Sequence, residues 1–213
     1  TIFSNKVVRY ALLFFMFDSF VWGISVSIFY GSVVLVYDFT ERHIAIIQLV
    51  FGLTTIILLI PLAKLGDKLK SNQILAISEL TGFVFLAMNI VAYFAQQQYR
   101  FYAILIGWAG LGASVAFWVP SILNILTNLD TRRRAAYYGT VSGLKSLGWL
   151  PTSFIAGLII DKVNFLIPFV ISIALFPIDL FFALRFPTNK QKGNSTINKA
   201  CPKIFFLLLG VLY

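Results

Sequence analysis

The chain has 213 residues, of which 59% are hydrophobic and only 12% are charged. This balance excludes a water-soluble domain, because no such fold could cover so much apolar surface. The formal net charge of +9 would suggest a nucleic-acid partner in a soluble protein, so the position of the basic residues decides its meaning.

The apolar residues fall into stretches long enough to cross a bilayer. A membrane-spanning helix needs about 20 apolar residues. The sequence predicts six such spans, at residues 10–36, 44–63, 74–94, 101–126, 135–160 and 163–184. The connections on one side are short, so neighbouring spans must run antiparallel. We therefore expect an all-α membrane protein whose two ends lie on the same side.

The basic residues lie mostly on that same side. Thirteen of the Lys and Arg residues fall there, three fall on the opposite side, and Lys145 lies within a span. The positive-inside rule then places both ends in the cytosol, and we expect the chain in the plasma membrane. This distribution explains the net charge without a nucleic-acid partner.

The composition changes after residue 186. We expect residues 1–186 to form the six-span bundle and residues 187–213 to form a polar cytosolic tail or linker. Its last ten residues, 204–213, are apolar but too few to span a bilayer. Because the chain begins at Thr1, we also expect it to be a piece of a longer protein.

The link between the second and third spans carries a recognisable motif. Residues 61–70 read Pro-Leu-Ala-Lys-Leu-Gly-Asp-Lys-Leu-Lys. The positions of Ala63, Leu65, Gly66, Asp67 and Lys68 resemble the Gly-x-Leu-Ala-Asp-Arg-x-Gly-Arg-Lys signature of the major facilitator superfamily (MFS). The resemblance implies that Gly66, Asp67 and Lys68 belong to a gating loop. The alternative is that Asp67 pairs only with neighbouring lysines in solvent.

A second stretch is similar to the same family, and the resemblance covers about residues 7–186. It implies two inverted three-helix repeats that form one half of a transporter, with a second six-helix bundle as the other half. The C-terminal half is favoured, because Ile106 stands where first halves often carry a basic residue. The short apolar end of the chain favours the N-terminal half instead. The residues of this second stretch that follow the family pattern are Arg134, Ala135, Gly139, Gly143, Gly148, Pro151, Gly157 and Asp161.

Two charged residues within the predicted spans are the main site candidates. Asp18 lies eight residues into the first span and Lys145 ten residues into the fifth, both from the cytosolic side. Their depths differ by only ~3 Å, so the two side chains could pair. The resembled fold places both helices at a central cavity, which makes Asp18 and Lys145 candidates to bind substrate or a proton.

Polar and aromatic residues recur at helical spacing around these two charges, and such stripes suit a wet cavity that binds a small molecule. The alternative is that the serines bond to their own helices and the tryptophans belong to the core. Glu79 and Asp179 lie in spans that the family places at the periphery, so we interpret them as structural, with a proton-carrying Glu79 as the alternative. The candidate cavity residues are Trp22, Ser25, Ser114, Trp118, Ser121, Ser142 and Trp149.

The sequence contains no catalytic set. It has one His and one Cys and lacks a phosphate-binding Gly-rich loop, so we expect no enzyme activity, no metal and no cofactor. The prediction is a secondary active transporter that moves a small-molecule substrate through the lipid bilayer by alternating access. A proton gradient is the candidate energy source. The alternative from another class is a non-transporting membrane scaffold or assembly subunit.

Overall fold

The computed structural model describes residues 6–66, 69–129 and 134–187. This part of the chain is helical and contains no strand, which confirms the all-α prediction for it. The helices are α1 (Lys6–Val26), α2 (Phe29–Tyr37), α3 (Glu41–Gly66), α4 (Ser71–Phe94), α5 (Gln97–Leu129), α6 (Arg134–Lys162) and α7 (Ile167–Leu184). The predicted gating-loop residues Asp67 and Lys68, and the predicted tail beyond residue 187, lie outside the described residues.

Five of the described helices are long and apolar enough to cross a membrane, namely α1, α3, α4, α5 and α7. This finding confirms a membrane-embedded protein. The remaining long helix, α6, is not among the five, and it carries Lys145 among several Gly, Ser and Thr residues. The prediction of six spans therefore stays a prediction.

The first predicted span, residues 10–36, is not one continuous helix. It is divided into α1 and α2 by a turn at Ser27 and Ile28. The Ser27 hydroxyl and its backbone N–H both donate to the carbonyl of Gly23. A serine hydroxyl that bonds a carbonyl four residues earlier commonly bends a helix. The helix α2 then ends at Tyr37, and the residue that caps it, Asp38, has a left-handed φ of 56°.

The last predicted span begins four residues too early. Residues 163–166 form a turn in which the Asn164 side chain accepts a hydrogen bond from the backbone N–H of Leu166, at 2.9 Å. Helix α7 starts at Ile167, with Pro168 in its first turn, where the missing N–H of proline costs nothing. The other four predicted spans lie within α3, α4, α5 and α6.

Glycines let the helices pack closely. Helix α5 packs against α3 and α4, α4 also packs against α7, and α1 packs against α6 and α7. A Cβ atom added at Gly112 of α5 would lie 2.6 Å from the carbonyl oxygen of Phe51 in α3. At Gly148 of α6, it would lie 3.0 Å from the carbonyl oxygen of Met16 in α1. Small residues at such crossings are typical of helices in membranes.

The buried apolar residues form two separate layers. The first layer joins residues 8–15 of α1 to Leu75 of α4 and Ala183 of α7. The second layer joins Phe29, Phe85, Trp108 and Phe169 and their neighbours toward the other end of the bundle. Between the two layers lies a belt of buried polar side chains, whose members are Asp18, Ser19, Ser78, Glu79, Ser114, Ser172 and Asp179. This polar belt positions the candidate site.

Candidate functional site

Three carboxylates from three helices meet in the polar belt. Asp18 of α1, Glu79 of α4 and Asp179 of α7 each place one carboxylate oxygen within 4.8 Å of the other two. Their side chains are buried, with exposed fractions of 2%, 1% and 0%. We call these three residues the carboxylate cluster. A charged group at this depth is costly, and it marks a functional site more often than a structural one.

The oxygens of the cluster have few hydrogen-bond donors. The indole Nε1–H of Trp22 donates to Oε2 of Glu79 at 2.9 Å. In the described part of the chain, Oδ1 of Asp18 and both oxygens of Asp179 are buried without a donor from outside the cluster, and Asp179 lies within hydrogen-bonding reach of Glu79. A buried acceptor that lacks a donor destabilises the fold, more so when it carries charge. The carboxylate oxygens of the cluster can therefore bind a positively charged group.

A lysine lies beside the cluster, as the sequence predicts for Asp18. The ammonium group of Lys145, on α6, interacts electrostatically with the carboxylates of Asp18 and Glu79. It also lies over the ring of Trp118, 3.6 Å from the ring centroid. Trp118 in turn packs edge-on against Phe15 of the first apolar layer, at 5.8 Å between centroids. The site thus combines three acidic groups with one base that a cation–π contact holds at its edge.

Trp22 fits beside the cluster because α4 has a glycine opposite it. A Cβ added at Gly82 would lie only 2.5 Å from Cη2 of the Trp22 indole. The same Cβ would lie 3.0 Å from the hydroxyl of Ser114 on α5. Ser114 is itself bonded across the helix interface, since the Ser78 hydroxyl donates to its carbonyl oxygen at 2.8 Å. Trp22 and Ser114, both predicted site residues, therefore lie next to each other at the polar belt.

Two of the predicted cavity serines bond within their own helices. The hydroxyl of Ser25 donates to the carbonyl of Trp22 at 3.2 Å, and that of Ser121 donates to the carbonyl of Phe117 at 2.9 Å. Both side chains are buried. This arrangement is the alternative that the sequence left open for these serines.

The remaining predicted residues lie at the edge of the bundle. Ser142 and Trp149 of α6 are partly exposed, and Trp149 packs against the second apolar layer. Gly66, from the predicted gating loop, is the last residue of α3. In the described structure, Asp18, Trp22 and Ser114 thus lie together at the polar belt. The other described residues among the predicted site residues lie around this belt.

Glu79 and Asp179 are the residues that the sequence reasoning missed. They were set apart from Asp18 because the resembled family places their helices at the periphery. A usable signal was present, since each acid lies about five residues into an apolar span and Asp18 lies eight residues into its own. Three acids at similar depth can meet in one layer, as the structure shows.

No protein-family model matches the sequence, and no curated protein matches it. The resemblance to the MFS therefore rests on the quoted residues of the chain alone.

Proposed function

We propose that this chain is one six-helix half of an MFS-type secondary transporter, which moves a small solute across a membrane by alternating access. The observation that carries the proposal is the carboxylate cluster with Lys145 beside it, in the interior of helices suited to a bilayer. Ionisable groups inside a membrane protein are expensive, and they typically bind the ion or solute that is transported. If these positions were purely structural, apolar residues would make the fold more stable.

The pairing of the helices supports two repeated units. The most extensive packing joins α4 to α5, α3 to α5, α1 to α6, α4 to α7 and α1 to α7. If α1, α3 and α4 are exchanged with α5, α6 and α7 in that order, this set of pairs maps onto itself. Such an exchange symmetry is what two three-helix repeats would produce.

One face of α6 supports a second bundle as the partner. Gly139, Gly143, Ser146, Ser153 and Gly157 lie four, three, seven and four residues apart along the helix, and all five are exposed. A Cβ added at any of these three glycines would meet no atom within 4 Å. Small and polar residues suit contact with another helix or with water better than contact with lipid tails. The second six-helix half of the transporter would cover this face and enclose the cavity.

The resemblance to the MFS suggests a role for each charged residue. Asp18 binds a proton or a cationic group of the substrate, and Lys145 neutralises Asp18 when it is empty or binds an anionic group. Asp67, from the motif between the second and third spans, stabilises one state of the gate. Movement of this half against the other then exposes the site to the two sides of the membrane in turn.

Transport in liposomes tests the proposal. The full-length transporter is reconstituted, a pH gradient is imposed, and proton flux is recorded against a panel of sugars, organic acids and drugs. One compound should evoke flux, and Asp18→Asn should abolish it while the protein stays folded. Asp161→Asn, which changes an exposed acid at the end of α6, is the matched control and should transport normally. Flux that Asp18→Asn leaves unchanged would refute the assignment of the site.

The burial of Asp18 favours a second candidate function, a membrane scaffold or assembly subunit. A transporter must open its site to water in some state, whereas a scaffold can keep it sealed, and Asp18 is 2% exposed. A Ser142→Cys variant, made in a Cys201→Ser background, separates the two. A membrane-impermeant maleimide should modify Cys at position 142 in a transporter with a wet cleft. Complete protection from both sides of the membrane would favour the scaffold.

A further inference from the structure

We propose that Asp18, Glu79 and Asp179 form a binding site for one hard divalent cation of about the size of Ca²⁺. Carboxylate oxygens are the ligands that such cations prefer. This inference goes beyond the proposed function, because cation binding can be measured without transport. The inference depends on the geometry of the carboxylate cluster.

The spacing of the oxygens fits a cation of this size. One oxygen from each carboxylate lies within 4.8 Å of the other two. Two oxygens that bind the same Ca²⁺ ion at about 2.3–2.6 Å can lie at most about 5 Å apart, and this spacing meets that condition. Mg²⁺ requires about 2.0–2.1 Å and near-ideal octahedral geometry, which three acids on separately packed helices meet less readily than the flexible geometry of Ca²⁺.

Neutralisation of the site requires two positive charges in addition to Lys145. When all three carboxyl groups are deprotonated, as binding of a metal ion requires, they carry three negative charges, and Lys145 is the base that interacts with Asp18 and Glu79. One divalent cation neutralises the remaining two. A proton can join only two carboxyl groups, and it would leave the third buried without a partner. A cation at the centre is bound by all three groups at once.

The unpartnered side chains point to a ligand independently of the number of acids. Asp179 is 0% exposed, and in the described part of the chain no donor from outside the cluster reaches its oxygens, which lie beside Asp18 and Glu79. Oδ1 of Asp18 is buried without a hydrogen-bond partner. These two residues therefore offer oxygens that no outside donor holds, and waters can complete the coordination that Ca²⁺ requires.

Trp22 orients one of the three carboxylates through a hydrogen bond. Its indole N–H donates to Oε2 of Glu79 at 2.9 Å, which fixes the orientation of this carboxylate. Groups that bind metal are commonly held by a second hydrogen bond of this kind, and loss of such a support weakens metal binding by about 10–100-fold. Gly82 leaves room for the indole, so the support is built into the packing of α1 on α4.

Calorimetry on the purified protein tests the inference. The protein is stripped with a chelator in detergent and titrated with CaCl₂ at neutral pH. We expect one binding site, weaker binding of MgCl₂, and a loss of affinity of at least about tenfold in Asp179→Asn. Asp161→Asn, the exposed control, should bind Ca²⁺ as the parent does. If Asp179→Asn does not fold, Glu79→Gln makes the same test.

Lys145→Met gives a result that a merely structural cluster would not produce. Removal of the competing positive charge should make Ca²⁺ binding severalfold tighter. Weaker binding in this variant would overturn the proposal. So would an absence of Ca²⁺ binding to the parent, which is the result expected if protons neutralise the cluster. Equal loss of affinity in Asp179→Asn and Asp161→Asn would also overturn it, since the cation would then bind the surface.

Discussion

Gly82→Ala should destabilise the protein by forcing Trp22 away from Glu79. The added Cβ would lie 2.5 Å from Cη2 and 2.8 Å from Cζ2 of the indole, so the ring must move. Trp22 is 8% exposed and belongs to the second apolar layer, so it has little free space around it. Overpacking of this kind costs about 1–3 kcal/mol.

The movement also affects the hydrogen bond to the carboxylate cluster. The Trp22 N–H is the one described donor to Oε2 of Glu79, at 2.9 Å. A hydrogen bond to a charged group contributes about 1.5–3 kcal/mol, and its loss leaves a buried acceptor unpaired. The two costs are not additive, because a shift of the ring that relieves the clash with the added Cβ also weakens the hydrogen bond to Glu79. We expect the free energy of unfolding to fall by about 2–4 kcal/mol.

Reversible unfolding in mixed micelles measures this difference. Gly31→Ala is the matched control, because Gly31 of α2 is exposed and a Cβ at that position meets no atom within 4 Å. Its stability should stay equal to that of the parent, or rise by up to about 1 kcal/mol through the higher helix propensity of alanine. In a Trp22→Phe background, Gly82→Ala should cost less than in the parent, since the smaller ring leaves space. Equal stabilities of Gly82→Ala and Gly31→Ala would refute this account of the packing.

Two further substitutions test the helix interfaces by the same unfolding assay. Gly112→Ala should cost more than about 2 kcal/mol, because its Cβ would lie 2.6 Å from the backbone oxygen of Phe51, which cannot rotate away; a smaller loss would show that α3 and α5 separate easily. Ser172→Ala should cost about 0.5–1.5 kcal/mol, because its buried hydroxyl donates to the carbonyl of Val21 at 2.7 Å; an unchanged stability would show that this bond contributes nothing.

The break in the first span could not be predicted from residue types. No proline lies between residues 10 and 36. At the turn, the hydroxyl of Ser27 donates to the carbonyl of Gly23. Ser25, two residues earlier, also bonds its own helix, yet α1 continues through it. Local sequence does not distinguish these two serines.

The predicted cavity shows a similar limit. Helical spacing places Trp22 and Ser25 on one face of α1, but the structure gives them different environments. Trp22 donates to Glu79 across the helix interface, whereas Ser25 bonds back to the carbonyl of Trp22. Spacing determines which residues share a face, and it does not determine what the neighbouring helix places opposite them.

By itself, the sequence determined that this is a helical membrane protein, and it located most of the helices. That result depends on local physics, because each helix in a bilayer must satisfy its own backbone hydrogen bonds and expose apolar side chains along its whole length. The sequence also located the ionisable residues and their approximate depth. Only the tertiary structure decided that Asp18 meets Glu79 and Asp179, because the rotation of each helix and the choice of its neighbours arise from packing between residues far apart in the chain.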